Sequence, residues 1–151
     1  GHRSGTENTL SVIGFGAAAA FASRNVEVEA ARLSALRARL ENGMRVNAPD
    51  VIIHGDDVMR VANTTFFTLP GLKAETGQIA FDIEGIALSA GSAFSSGKVG
   101  ESHVLSAMGH DPKLGALRIS LGHATDEADI DRTLAAFAKI AGRRKLSGQA
   151  A

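Results

Sequence analysis

Residues 117–145 open with Leu117-Arg118-Ile119-Ser120-Leu121-Gly122-His123-Ala124-Thr125-Asp126-Glu127 and continue from Ala128 to Lys145 as ADIDRTLAAFAKIAGRRK. In the first five residues Leu117, Ile119 and Leu121 alternate with Arg118 and Ser120, a period of two that predicts a strand with one buried face. Beyond Gly122 the period changes. Ile130, Leu134, Phe137 and Ala141 recur at helical spacing, Thr125 stands at a capping position, and Asp126 and Glu127 occupy the electropositive first turn. Arg143, Arg144 and Lys145 fall at the opposite, electronegative end, so every local signal predicts a helix. A strand with one apolar face followed by a helix with one apolar stripe implies two layers that bury each other.

Upstream, Thr64-Thr65-Phe66-Phe67-Thr68 reads as a strand ended by Pro70-Gly71, and Val51-Ile52-Ile53-His54 as another ended by Gly55-Asp56-Asp57. Between these and the closing unit, the pattern predicts a helix over Ala74–Ile83, a strand over Ile86–Ser89, and a short helix over Ser102–Met108 closed by Gly109. The leading part predicts two helices: an alanine-rich one from Glu7 to Ala22, and one from Val26 to Leu40 stopped by Asn42-Gly43. Helices segregated against a small mixed or antiparallel sheet make an α+β sandwich. One domain is expected over 1–146, with 1–44 a helical lead-in, 45–146 the sandwich, and 147–151 a loose tail.

The composition excludes several functions. Formal net charge is zero, which leaves no basic field for nucleic acid or an anionic membrane. No apolar run reaches the roughly 18–20 residues of a membrane span, so a cytoplasmic address is expected. There is no cysteine, which removes disulfides, thiolate metal sites and cysteine nucleophiles together. Tyrosine and tryptophan are also absent, leaving seven phenylalanines that do not cluster as a stacking platform. The opening Gly1-His2-Arg3-Ser4-Gly5-Thr6 reads as the interior of a longer chain.

Five patterns merit a chemical reading. Gly14-Phe15-Gly16-Ala17-Ala18-Ala19 fits a dinucleotide fingerprint, but Glu27 and Glu29 come too early for its acidic partner and lie on a helical pattern. Ser92, Ser95 and Ser96 lie in a small-residue stretch without a nucleophile elbow or a placed histidine base, and a polar loop is the simpler reading. The five histidines offer only His54-Gly55-Asp56 and the interval from His103 to His110, neither a metal-ligand pattern, and surface or capping roles are expected. Arg118 leaves two readings open: a guanidinium that binds a carboxylate through two parallel hydrogen bonds, or an ordinary exposed strand face. Arg3, Gly5 and Thr6 likewise fit either a phosphate ahead of a helix or a plain cap.

Taken together these stretches resemble a known family. Arg3-Ser4-Gly5-Thr6-Glu7-Asn8, Asn63-Thr64-Thr65-Phe66, the run from Gly85 to Gly97, Ser102-His103-Val104-Leu105-Ser106-Ala107-Met108-Gly109 and Leu117-Arg118-Ile119-Ser120-Leu121-Gly122 resemble, in order, segments of NifS/IscS-type cysteine desulfurases. The resemblance covers Gly1 to about Arg144 and implies the C-terminal portion of a dimeric, pyridoxal-phosphate-dependent fold-type I enzyme that moves sulfur from L-cysteine into iron–sulfur or thio-cofactor assembly. It implies that Thr6 reaches the phosphate of a neighbouring subunit's cofactor and that Arg118 clamps the substrate carboxylate. It also implies two departures. The catalytic cysteine position holds Phe94, which can neither ionise nor accept sulfur. The family's Schiff-base lysine domain has no counterpart here, since Lys73, Lys98, Lys113, Lys139 and Lys145 do not match its motif. The expectation is a truncated or degenerate relative, inactive alone and holding no cofactor by itself. Its expected partners are a second copy, a separately encoded large-domain chain to cover the apolar Leu10–Ala22 stretch, or the sulfur-acceptor and scaffold proteins that desulfurases serve.

Overall fold

A computed structural model of the chain describes residues Gly5, 7–90, 102–111 and 114–148. It opens on α1 (Thr9–Asn47), a single helix of 39 residues, about 58 Å long at 1.5 Å per residue. The two helices expected over Glu7–Ala22 and Val26–Leu40 are therefore one. The reason is local: Ser23-Arg24-Asn25 between them contains neither glycine nor proline. Asn25 Nδ2 donates to the Phe21 carbonyl and Arg24 Nε to the Ala20 carbonyl, both one turn back. Asn8 caps the start, its side chain accepting from Ser11 N at 3.2 Å.

Gly43 is not the stop its position suggested. The helix runs on to Asn47 and ends before Pro49, with Ala48 N donating to the Met44 carbonyl. At Gly43 a Cβ would stand 2.5 Å from Leu134 Cδ1, so this glycine serves the close approach of α1 to the last helix.

The sheet has order β1-β2-β4-β3, with β1 (Ile52–Ile53), β2 (Thr64–Thr68), β3 (Ser89–Ala90) and β4 (Leu117–Ser120), and every pairing is antiparallel. Of the mixed and antiparallel alternatives, the antiparallel one holds. Strand β3 starts later than the expected Ile86, because α2 (Ala74–Ile83) closes through Gly85 at φ +78°, with Ile86 N donating back to the Phe81 carbonyl. Ile86 and Leu88 instead pack against the core from outside the ladder.

One face of the sheet carries the core. Leu33, Leu36, Leu40 and Met44 of α1 meet Phe67 of β2, Leu117 and Ile119 of β4, Phe81 of α2, and Ile130, Phe137 and Ile140 of α4 (Glu127–Gly148). Phe67 and Phe137 make an edge-on ring contact at 6.0 Å. Arg32 ties α1 to the β4–α4 turn by donating to the carbonyls of Thr125, Gly122 and His123.

The cap of α4 is Asp126 rather than Thr125. Asp126 Oδ1 accepts from Asp129 N at 2.9 Å and Asp129 Oδ2 accepts from Asp126 N at 3.1 Å, a reciprocal box. Thr125 Oγ1 is engaged in accepting from Gly122 N. Asp126→Ala is accordingly expected to lower the stability of the domain by about 1 kcal/mol, read as a urea midpoint, whereas Thr125→Val should cost less.

The first half of α1 stands apart from this body. Leu10, Val12, Ile13, Phe15, Phe21, Val26 and Val28 are all exposed, and the buried residues of the helix begin at Leu33. Among the described residues no helix is long and apolar enough to cross a membrane.

Candidate functional site

The sheet face opposite the core holds the candidate site. Pairing places Ser89, Arg118 and Phe66 in one row across three strands, since Arg118 is the partner of Ser89 on β3 and of Phe66 on β2. The alternation of β4, with Leu117 and Ile119 buried and Arg118 and Ser120 exposed, turns the guanidinium onto this outer face. Arg118 Nη2 donates to Ser89 Oγ at 3.4 Å. Among the described residues no carboxylate pairs with it. In contrast Arg39, Arg45, Arg60 and Arg144 each hold an acid within 3.0 Å. A planar donor fork on a rigid strand, not already neutralised by an acid, suits an incoming carboxylate.

Sequence reasoning reached Arg118 because it interrupts an alternating strand, and it missed Ser89. Nothing local marks Ser89 as a partner; only the β3–β4 pairing brings it alongside. Thr6 and Phe94, the other two residues singled out, lie outside the described residues, as do the serines at 92, 95 and 96. Gly14 and Gly16 sit within α1 with open space around them. A dinucleotide fingerprint needs a strand-to-helix turn at that point, so this reading ends there.

The histidines required correction. His54 is neither a surface residue nor a cap: it is 3% exposed, its ring packed against Phe66 at 5.1 Å and His110 at 4.5 Å. Burial, and secondarily the neighbouring His110, push its pKa down to about 4. The apolar stretch around Val51–Ile53 was the available signal, since His54 extends it with backbone N donating to the Phe66 carbonyl.

A second buried polar group missed by the sequence reading is Glu41, which accepts both guanidinium nitrogens of Arg60 at 2.8 and 2.7 Å and the Thr65 hydroxyl at 2.9 Å. This ties the 55–62 loop to α1.

Comparison with known proteins now bears on this geometry. The pattern of the family described as Aminotransferase class-V matches residues 1–133. The chain belongs to that family. Within it, the chain is a homologue of NifS/IscS-type cysteine desulfurases that contains no cysteine. It is 42% identical over 134 residues to a cysteine desulfurase of Sinorhizobium fredii, covering 87% of this chain and 35% of that protein. Against an IscS-like cysteine desulfurase of Mycobacterium tuberculosis the identity is 40% over 152 residues, covering 99% and 39%. The crystal structure of a NifS-like protein from Rickettsia africae superposes with a TM-score of 0.79 at 35% identity, over 91% of this chain and 36% of the other. The chain therefore spans little more than a third of the length of these relatives.

The family implies pyridoxal phosphate, and the described side chains do not fit a covalently held one. A Schiff-base lysine needs an amine whose pKa is lowered by burial or a cationic neighbour. Lys73 is exposed at the N-cap of α2, and Lys139 Nζ is held by Glu84 Oε2 at 2.7 Å. Glu84 in turn has its carboxyl pushed below the usual range by that hydrogen bond.

Proposed function

We propose that this chain is a degenerate relative of the cysteine desulfurases, able to recognise an amino-acid carboxylate at Arg118 but unable to carry out sulfur transfer alone. The observation that carries the reading is the absence of any cysteine; by the resemblance, Phe94 stands where the family carries its catalytic cysteine. Sulfur transfer from L-cysteine requires a thiolate to receive the sulfur atom, and a phenyl ring offers no lone pair or acidic proton for that step. Arg118 supports the retained half of the function, because a guanidinium beside Ser89 without an acid partner among the described residues is suited to a carboxylate.

The purified chain, supplied with pyridoxal phosphate and L-cysteine, is expected to form no alanine above the protein-free control, and Phe94→Cys is expected to behave identically. Alanine from either would overturn the reading. Loss of L-alanine or L-cysteine binding in Arg118→Ala, followed by NMR shifts of β4 amides, tests the carboxylate role separately.

A second reading is favoured by the bare half of α1. A helix with Leu10, Ile13, Phe15 and Phe21 all exposed presents an apolar face larger than a stable monomer ordinarily leaves in water. On this reading the chain is the small-domain portion of a pyridoxal-phosphate enzyme whose lysine-bearing portion covers that face. Co-purification with such a portion and recovery of visible absorbance would support it; the same mixture remaining colourless and separating on a sizing column would count against it.

A further inference from the structure

His54 sits at the edge of the sheet, since β1 is the outermost strand and His54 follows it directly. Its hydrogen bonding fixes its tautomer. Thr68 Oγ1 donates its one proton to the Gly115 carbonyl at 2.9 Å, so at its 2.8 Å contact with His54 it accepts, and His54 Nε2 carries the hydrogen. Nδ1 is then a bare lone pair, and it is buried with no hydrogen-bond partner among the described residues. A proton added there creates a charged N–H with nothing to receive it.

The neighbours on every side sharpen this. From the 102–111 segment comes His110, whose ring lies edge-on at 4.5 Å and whose own protonation opposes that of His54. From the turn after β1 comes Asp56, which favours the charged form but is already paired with Arg45 of α1 at 2.7 Å. Strand β2 contributes Thr68 and Phe66, and, among the described residues, the stretch before β4 contributes the Gly115 carbonyl.

The 102–111 segment is separable from the body. It holds α3 (His103–Ala107), capped by Ser102 and closed at Gly109 with φ +76°. None of its residues belongs to the main core cluster, and its one fully buried apolar side chain is Leu105. Its contacts with the His54 turn are the His110 ring and the Met108 methyl, which lies over Gly55. Such a unit can open on its own while the rest stays folded.

We propose that His54 is a proton-operated latch: neutral, it holds the 102–111 segment to the sheet edge through His110, and protonated, it releases that segment while the body of α1, α4 and the sheet remains folded. The inference does not depend on the proposed function.

The direction of the pH dependence follows from linkage. The closed state holds His54 near 4, while the opened state returns it toward 6.5, so the opened state binds more protons between those values. The closed state's advantage is whole above pH 6.5 and is lost progressively as pH falls toward 4.

Amide hydrogen exchange of the whole chain, corrected for the intrinsic pH dependence of exchange, tests this. Between pH 7 and 5.5 the opening constant of the Ser106, Met108 and His110 amides is expected to rise about tenfold, with α4 amides near Phe137 unchanged. In His54→Gln, whose amide nitrogen can still donate to Thr68 but whose side chain does not titrate, that rise should vanish while protection at pH 7 persists. A rise that survives in His54→Gln would overturn the latch. So would an equal rise in the α4 amides, which would assign His54 to global stability.

Discussion

Glu41→Ala is expected to lower the unfolding free energy by about 3–5 kcal/mol, the cost of taking the buried acid out of an ion-pair network whose two arginines are themselves part-buried. The carboxylate is 5% exposed, accepts two hydrogen bonds from Arg60 and one from Thr65, and lies 3.9 Å from Arg37 Nε. Arg37 Nε is itself buried without a hydrogen bond, so its charge relies on Glu41 and on Nη1 donating to the Val61 carbonyl. Removing the acid strands two guanidinium groups. The size follows from burial: exposed pairs such as Arg39 with Glu127 are screened and worth about 0–1 kcal/mol. Urea unfolding measures the loss directly, and a fall below about 1 kcal/mol would mean that water reaches the network. Glu41→Leu combined with Arg60→Leu replaces the bidentate pair by apolar side chains but leaves Arg37 without its acid, so it should recover only part of the loss.

That network shows which features a linear sequence carries and which it does not. Helix α4 was legible because Ile130, Leu134, Phe137 and Ala141 recur at a fixed spacing and all four pack in or against the core. Strand β2 and helix α2 were legible for the same reason, with turn residues marking their ends. The α+β arrangement followed from their order. Glu41, by contrast, falls just past the expected end of the Val26–Leu40 helix, where nothing in the sequence marks it for burial. Its burial depends on Arg60, 19 residues away, on a loop with no periodicity. The continuity of α1 was obscured by two apolar patterns with a polar gap, although helix propensity does not require an apolar residue at each turn.

The site divides similarly. Arg118 announces itself by breaking an alternation, and its outward aspect follows from the same period of two. Ser89 beside it, His54 beneath Phe66 and the pairing of His54 with His110 are products of strand register and chain return, which local patterns do not encode. Asp126 displaced Thr125 as the cap because Asp129 stands three residues on to reciprocate, a detail within reach of the sequence but outweighed there by the choice of Thr125.

The pair Phe66-Phe67 tests the two-faced sheet most sharply, because adjacent residues of identical chemistry should differ severalfold in cost. Phe67 is fully buried on the core face, in edge-on contact with Phe137. Phe66, one residue earlier, faces the other way, half-buried in register with Arg118 and resting on His54. Phe67→Ala removes a large side chain from a packed interior and is expected to cost about 3–5 kcal/mol, enough to bring a domain of ordinary stability close to unfolding at room temperature. Phe66→Ala should cost about 1 kcal/mol, with its clearest effect on the His54 ring and the Arg118 face. Equilibrium urea curves for the two variants give the comparison. Equal losses would mean that both rings are in the core, and the outer face would then lose its claim to be a binding surface, since a packed face has no room for a carboxylate. A wide gap leaves one side of β2 to stability and the other, with Arg118 beside it, free to bind.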